Sequence, residues 1–327
     1  MTELPAARLA ELLKAHDEDL RTESEVDGAA DVTRIGPLWL GRYAERGFVS
    51  YQDLDGATGA ELDDLIGAAI EHFAADPGLV SFEWKTRGHD APVDLDDHLV
   101  AAGFVAADQE TVMIGETAVL AAMSREPSGV VIRRAGDTGD LRGDVRAIGV
   151  LHRKVFGPDS PNMDEQLLAA ITADPTGNEL WLAEAAGRVV SAGRLVRVRG
   201  GRFAGLFGGA TDPDWRHAGV YRALTAARAK SATTMGAELV YAECTEFSRP
   251  ILERAGLVAV KPPPPTSGGD PASDRHPDLE HPCRLHHDFC HLDRGHPPHG
   301  MPRAGSGAGT GRVFRCCEWV SLGVWPA

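Results

Sequence analysis

The order of elements between residues 130 and 260 constrains this chain more than any other feature. VVIRRA (130–135) reads as a strand, and two helices follow at about 138–156 and 163–173. ELWLAEAAG (179–187) and RVVSAGRLVRV (188–198) form a hairpin turned at Ala186-Gly187. RFAGLFGGAT (202–211) is the third long strand of this meander. A helix over about 217–235 puts Val220, Ala223, Leu224, Ala227, Ser231 and Met235 on one face. ELVYAECT (238–245) is a short, nearly continuous apolar run, the mark of a buried strand. Ser248 can cap a brief helix that tolerates Pro250 in its first turn and ends at Gly256. LVAV (257–260) begins another strand. The order β-α-α-β-β-β-α-β-α-β predicts an α/β chain with a mixed sheet (α+β in character).

The first region repeats the later part of that order. RIGPLWLGRY (34–43), FVSYQDL (48–54), VSFEWKT (80–86) and VAADQETVMIG (105–115) read as strands. A helix near 60–74 aligns Leu62, Leu65, Ile66, Ala69, Ile70 and Phe73. Asp94 can cap a short helix ending in LVAAGF (99–104). LVAAGFVAA matches ILERAGLVAV, with Leu99 on Leu252 and Gly103 on Gly256. These parallels predict an internal duplication, with folded halves at 1–123 and 130–260 separated by SREPSG (124–129). A length of 327 residues suits two domains of about 150 residues each. The amphipathic start, with Leu9, Leu12, Leu13, His16 and Leu20 at helical spacing, has no signal-peptide order.

Charge narrows the partners. The net charge is −15, from 33 basic and 48 acidic side chains. Nucleic acid and anionic membranes reward basic surfaces, so neither is an expected partner. No apolar run approaches the ~18 residues of a membrane span. Cys244 alone of the five cysteines precedes residue 283, which argues against a disulfide framework and for the cytoplasm.

The stretch WRHAGVYRAL (215–224) places Gly219 in what reads as the first turn of a helix, at a cost of about 1 kcal/mol relative to alanine. A helix start presents unpaired N–H groups and the positive end of its dipole to an anion. A glycine lets a phosphate approach the backbone closely. A Walker loop would need Lys-Ser/Thr after its last glycine, where Tyr221-Arg222 stand. A dinucleotide fingerprint would need three glycines at fixed spacing. Arg-x-x-Gly-x-(Gly/Ala), after a long strand and opening a long helix, resembles the acyl-CoA pyrophosphate loop of the GNAT-type N-acetyltransferases. The element order over 130–260 resembles that family too. Tyr221 departs from the pattern, which has a small residue there.

The resemblance implies a GNAT-like acyl-CoA N-acyltransferase fold, with a degenerate copy at 1–123 preceding a catalytic copy at 130–260. It implies acetyl-CoA as co-substrate and a small-molecule or peptide amine as acceptor. The strand end Gly209, Ala210 and Thr211 would splay from its neighbour and pair with the pantetheine arm. Arg216, His217, Ala218, Gly219, Val220, Tyr221 and Arg222 would hold the pyrophosphate. An attacking amine must lose a proton, so a base is needed. Glu243, Glu246 and Glu184 are candidates, with Glu243 the first choice. The family often carries a tyrosine acid four residues before the glycine that ends the last helix, and here that position is Leu252. Tyr221 or Tyr241 would have to substitute. Cys244 has no adjacent histidine and reads as a small apolar residue.

The first half has LDGATGAEL before its helix and no such loop. It is expected to shape the acceptor cleft, with EWKTRGHD (83–90) offering Trp84, Arg87 and His89. A non-catalytic acyl-CoA-binding protein is the alternative, and a structural partner without cofactor a third. From Lys261 the composition turns to Pro, Gly and His and reads as disordered through about 312. His276, His281, Cys283, His286, His287, Cys290, His291, His296 and His299 match no strong zinc spacing, and no metal is assigned. The second half also lacks the strand that the first half carries through Ile114. A shift of reading frame near codon 261 would explain both features, since the nucleotides for KPPPPTSGG permit Ala-Thr-Thr-Thr-Thr-Tyr-Ile-Trp. FRCCEWVSLGVWPA (314–327) would then be exposed apolar sequence, able to pair with an open sheet edge.

Overall fold

The computed structural model describes residues 4–123, 125–158, 160, 162–260 and, as backbone, 311–317. The expectations for 261–310 and 318–327, the zinc ligands and the frame shift among them, lie outside the described residues.

The first half runs α1 (Ala6–Asp19), β1 (Asp31–Ile35), β2 (Leu38–Tyr43), β3 (Arg46–Ser50), α2 (Ala60–Ala74), β4 (Ser81–Thr86), α3 (Leu95–Ala101), β5 (Val105–Glu116) and α4 (Thr117–Ala122). The second runs β6 (Val130–Arg134), α5 (Leu141–Phe156), α6 (Asp164–Ala173), β7 (Asn178–Ala185), β8 (Arg188–Arg197) and β9 (Phe203–Thr211). It continues through α7 (Val220–Thr234), β10 (Leu239–Cys244), α8 (Arg249–Ala255) and β11 (Val258–Ala259), and β12 (Gly311–Cys317) comes last. Most boundaries fall where hydrophobic periodicity put them. RIGPLWLGRY is an exception: it is two strands, because the chain reverses at Gly36-Pro37 and pairs Ile35 with Leu38. FVSYQDL also stops as a strand at Ser50. Tyr51 and Leu54 are apolar because they fill the core from a loop, at 2% and 1% exposure. Asp94 and Ser248 occupy cap positions, but neither side chain makes a capping hydrogen bond.

The duplication is visible in the pairing. In each half a three-stranded antiparallel meander ends in a strand that pairs in parallel with the strand after the next helix. Those pairs are β3 with β4, across α2, and β9 with β10, across α7. A short helix and another strand then follow in both.

The two halves are nevertheless not separate sheets. One path runs β1-β2-β3-β4-β12-β5-β10-β9-β8-β7-β6, with β11 also on β5. Residues of β5 from Val105 to Glu110 pair with β12, while Thr111 to Glu116 pair with β10. Met113 and Ile114 also pair with β11. The strand that the second half lacks in its own sequence is therefore supplied by the first half, between β10 and β11. Reciprocally, β12 lies antiparallel between β4 and β5. This corrects the expectation of a sheet missing its final strand. Side-chain packing follows the exchange. Met113 and Leu120 join Leu206, Val240 and Leu257 in one core, and Leu12 and Leu20 of the first half pack with Phe203 and Leu239.

Met113 is fully buried in the second half's core although the first half's strand carries it. Met113→Ala is expected to cost about 2–5 kcal/mol, read from the denaturant midpoint. Hydrogen exchange should quicken in β10, which pairs with β5, and stay unchanged in the remote strand β1.

Candidate active site

The site begins where β9 and β10 part. Their parallel pairing covers Phe203, Ala204 and Gly205 against Leu239, Val240 and Tyr241, and goes no further. From Leu206 onward β9 pairs only with β8 among the described residues. A bulge sits in this free stretch: Ala192 pairs with Ala210 and Arg194 with Phe207, so Gly208 and Gly209 stand opposite Gly193 alone. The fork opens at Leu206, three residues before the predicted Gly209-Ala210-Thr211 segment, and leaves one edge of β9 facing a cavity of about 1260 Å³. Gly209, Ala210, Thr211 and residues 216–222 all line that cavity, as do Tyr241, Glu243 and Leu252.

The start of α7 differs from the sequence reading in one respect. Gly219 is not inside the first turn. It is the residue before the helix, in the left-handed region at φ 79°. The helix penalty assumed for it therefore does not arise. What the position demands is a positive φ, which glycine adopts without strain. Among the described residues, no well-formed hydrogen bond engages the N–H of His217, Ala218, Gly219, Val220, Tyr221 or Arg222. The first turn carries no acidic residue, and Arg216, His217 and Arg222 around it are exposed. The equivalent helix start in the first half is the opposite. Glu61 and Asp63 stand in the first turn of α2, and the Glu61 N–H is already bonded to the Thr58 carbonyl at 3.2 Å. An anion is favoured at the first and repelled at the second.

Tyr221 folds back across β9. A Cβ at Gly209 would sit 2.6 Å from the Tyr221 hydroxyl, and the Arg228 guanidinium lies 5.5 Å from the ring centre. Ala210 turns its methyl into the core, and its carbonyl accepts from the Ser191 hydroxyl at 2.8 Å.

Of the three candidate carboxylates only Glu243 lines the cavity. Glu184 is bound to Arg133 Nε at 2.6 Å on β7, and exposed Glu246 lies 3.6 Å from Arg249. Glu243 has company that the sequence reading missed. Its Oε1 accepts from Arg87 Nη2 at 2.8 Å, and its Oε2 is in contact with the Lys85 ammonium. The same Arg87 nitrogen reaches Glu25 at 3.1 Å, and Glu25 accepts from the Ser50 hydroxyl at 2.6 Å. Burial pushes the Lys85 ammonium down to about 8, and nearby Arg87 adds to the effect. Burial raises the Glu25 carboxyl, but Arg87, Lys85 and the Ser50 hydrogen bond outweigh it and hold it below its ordinary value. Lys85, Glu25 and Tyr43 bring the first half into the cavity wall. A signal for Lys85 was available: Glu83, Lys85 and Arg87 alternate with Phe82, Trp84 and Thr86, so one strand face is charged.

The remaining expectations divide. Trp84 is fully buried in the first half's own core and does not face the cleft. His89 is bound to Asp17 at 2.7 Å. Tyr241 lines the cavity, but burial raises its hydroxyl pKa well above the ordinary value and makes it a weak proton donor. Burial likewise pushes the Cys244 thiol up to about 12. Among the described residues no group of three or more His, Cys, Asp and Glu is placed to hold a metal. None of their helices is long and apolar enough to cross a membrane.

Neither family models nor curated protein sequences match this chain. Solved structures do. A GCN5-related N-acetyltransferase from Kribbella flavida aligns with a TM-score of 0.56 at 16% identity, over 77% of this chain and 92% of that one. A functionally unknown conserved protein from Staphylococcus epidermidis gives 0.53 at 10%, over 72% and 91%. A GCN5-related N-acetyltransferase from Sphaerobacter thermophilus gives 0.50 at 15%, over 68% and 73%. The chain has the mixed α/β fold of the GCN5-related N-acetyltransferases, and at these identities the likeness is one of fold.

Arg87→Met would leave Glu25 and Glu243 without their shared cation in a largely buried place. A loss of about 3–5 kcal/mol is expected. Because the folded value of Glu25 is depressed, its contribution is present above the unfolded pKa near 4.5 and is lost as pH falls through the lower folded value. Denaturant midpoints taken between about pH 3 and 7 should fall less steeply on the acid side for Glu25→Gln than for the wild type.

Proposed function

We propose that the protein is a cytoplasmic N-acyltransferase that moves an acetyl group from acetyl-CoA to a primary amine by direct attack. One observation carries this reading: the fork between β9 and β10 and the open N–H groups before α7 lie in one cavity. A pyrophosphate would take the N–H groups of residues 217–222, with Arg216 and Arg222 adding charge. The pantetheine amides would add to the free edge of β9 at Gly209, Ala210 and Thr211, as an extended peptide adds to a sheet. The thioester would then end near Glu243. The amine nitrogen attacks the thioester carbon, the C–N bond forms, the C–S bond breaks and the thiolate takes up a proton. Glu243 would receive the proton from the amine, with Arg87 on its other oxygen. The Tyr221 hydroxyl, against Gly209, is the assigned proton source for the thiolate. Holding both substrates in one cavity supplies orientation, which in favourable cases is worth about 7–11 kcal/mol of barrier.

A second reading has its own support. Leu252 lines the cavity where the resemblance expects a tyrosine, and both Glu243 oxygens are engaged by cations. Both features suit a non-catalytic acyl-CoA-binding protein. Titration calorimetry with acetyl-CoA is expected to give saturable binding, and Gly219→Glu to abolish it by placing a carboxylate in the anion cradle. Unchanged affinity in that variant would sink the assignment of the loop. Thiol release with a panel of amines separates the two readings. A transferase would show turnover that Glu243→Gln lowers by about 100-fold or more while acetyl-CoA affinity holds; a binding protein would show none.

A further inference from the structure

We propose that Lys85 is itself an acyl acceptor, its Nζ becoming acetylated inside the cavity when acetyl-CoA is bound. The inference rests on the acyl-CoA reading above and adds a modification site on the protein's own chain. The chain has five lysines. Among the four described lysines, Lys85 alone lines the cavity that holds Glu243 and the start of α7. Lys14 and Lys230 are exposed, Lys154 is held by Asp212 at 2.6 Å, and Lys261 lies outside the described residues.

The position of Lys85 is the argument. Any acceptor must bring an amine to the group that removes its proton. Glu243 already has a primary amine in contact, and that amine is Lys85. It is carried on β4, a strand of the other half, so it reaches Glu243 across the junction of the two halves. Charged groups that act on it include Arg87 just after β4, Glu83 on β4, Glu110 on β5 and Glu25 before β1, with Glu243 on β10. Burial is the largest influence and brings the ammonium down to about 8, which favours the neutral amine relative to an exposed lysine. In the step, the neutral Nζ attacks the thioester carbon, the C–N bond forms and the C–S bond breaks. The proton lost from nitrogen passes to Glu243, the departing thiolate takes a proton from the Tyr221 hydroxyl, and solvent returns the Glu243 proton to Tyr221. The product is a neutral amide in a buried place, which relieves the desolvation of the cation. Glu243 keeps Arg87 as its partner. The acceptor end of the cavity is then occupied by the protein's own acetyl-lysine.

The test uses the full chain, isotopically labelled acetyl-CoA and peptide mapping by mass spectrometry. Lys14 and Lys230 report the background reaction of exposed lysines in the same sample. Lys85 is expected to label at least about tenfold faster than either, as held reactants do. Its rate should rise between pH 7 and 9 as the ammonium loses its proton. Gly219→Glu should remove the Lys85 label and leave the two surface sites unchanged. Glu243→Gln should slow Lys85 only. Calorimetry on the same preparation separates the two possible failures. If acetyl-CoA binds and Lys85 labels no faster than Lys14 and Lys230, the acceptor role is overturned and the cofactor site stands. If acetyl-CoA does not bind, the cofactor reading falls and this inference with it.

Discussion

The backbone hydrogen bonds of β5 hold this molecule together as one object. Twelve residues long, the strand pairs with β12 along its first half and with β10 along its second, which joins the two halves in one sheet. A strand slot left open in either half would expose a row of unpaired N–H and C=O groups, and such edges seek partners. Here the partner is the other half of the same chain. Because pairing fixes register, the exchange also fixes where β4 sits relative to β10. That placement lets Lys85 and Arg87 of the first half meet Glu243 of the second. A duplicated fold whose copies merely touched would have no such obligation.

The two copies then diverge at the place where helix follows strand. In the second, β9 leaves β10 after Gly205, the chain turns through a left-handed glycine, and a helix opens without acidic residues. In the first, β3 and β4 stay paired through Val49 and Trp84, and the helix opens on two carboxylates. The same topology thus leaves N–H groups open at one helix start and sets two carboxylates at the other. Charge and backbone geometry separate the copies, because the arrangement of elements is common to both. What the first copy retains is its wall: β4 gives one face to its own core through Phe82 and Trp84, and the other to the shared cavity through Lys85.

Much of this is legible in the sequence alone. Helical periodicity placed α2 and α7, the Ala186-Gly187 turn placed the β7–β8 hairpin, and the Arg-x-x-Gly spacing marked the loop before α7. Each of these is local: the information lies within a few turns of chain. The misreadings have equally local causes. Gly36-Pro37 lies inside an apolar run whose alternation looks the same whether or not the chain reverses. Gly219 looks like a poor helix residue until its φ is known.

The sequence by itself determined most of the elements and their order, the repeat and the loop with its charge, because these follow from periodicity, backbone preference and composition over short windows. Tertiary structure decided that β5 is shared, that β10 and β11 are completed from the first half, and that Glu243 faces Arg87 and Lys85, 156 and 158 positions away. Strand partners are chosen by which hydrogen-bonding edges are left free once everything else has packed. Ion pairs within a cavity depend on registers summed across several strands. Neither quantity is written in any one segment, so neither can be read from one.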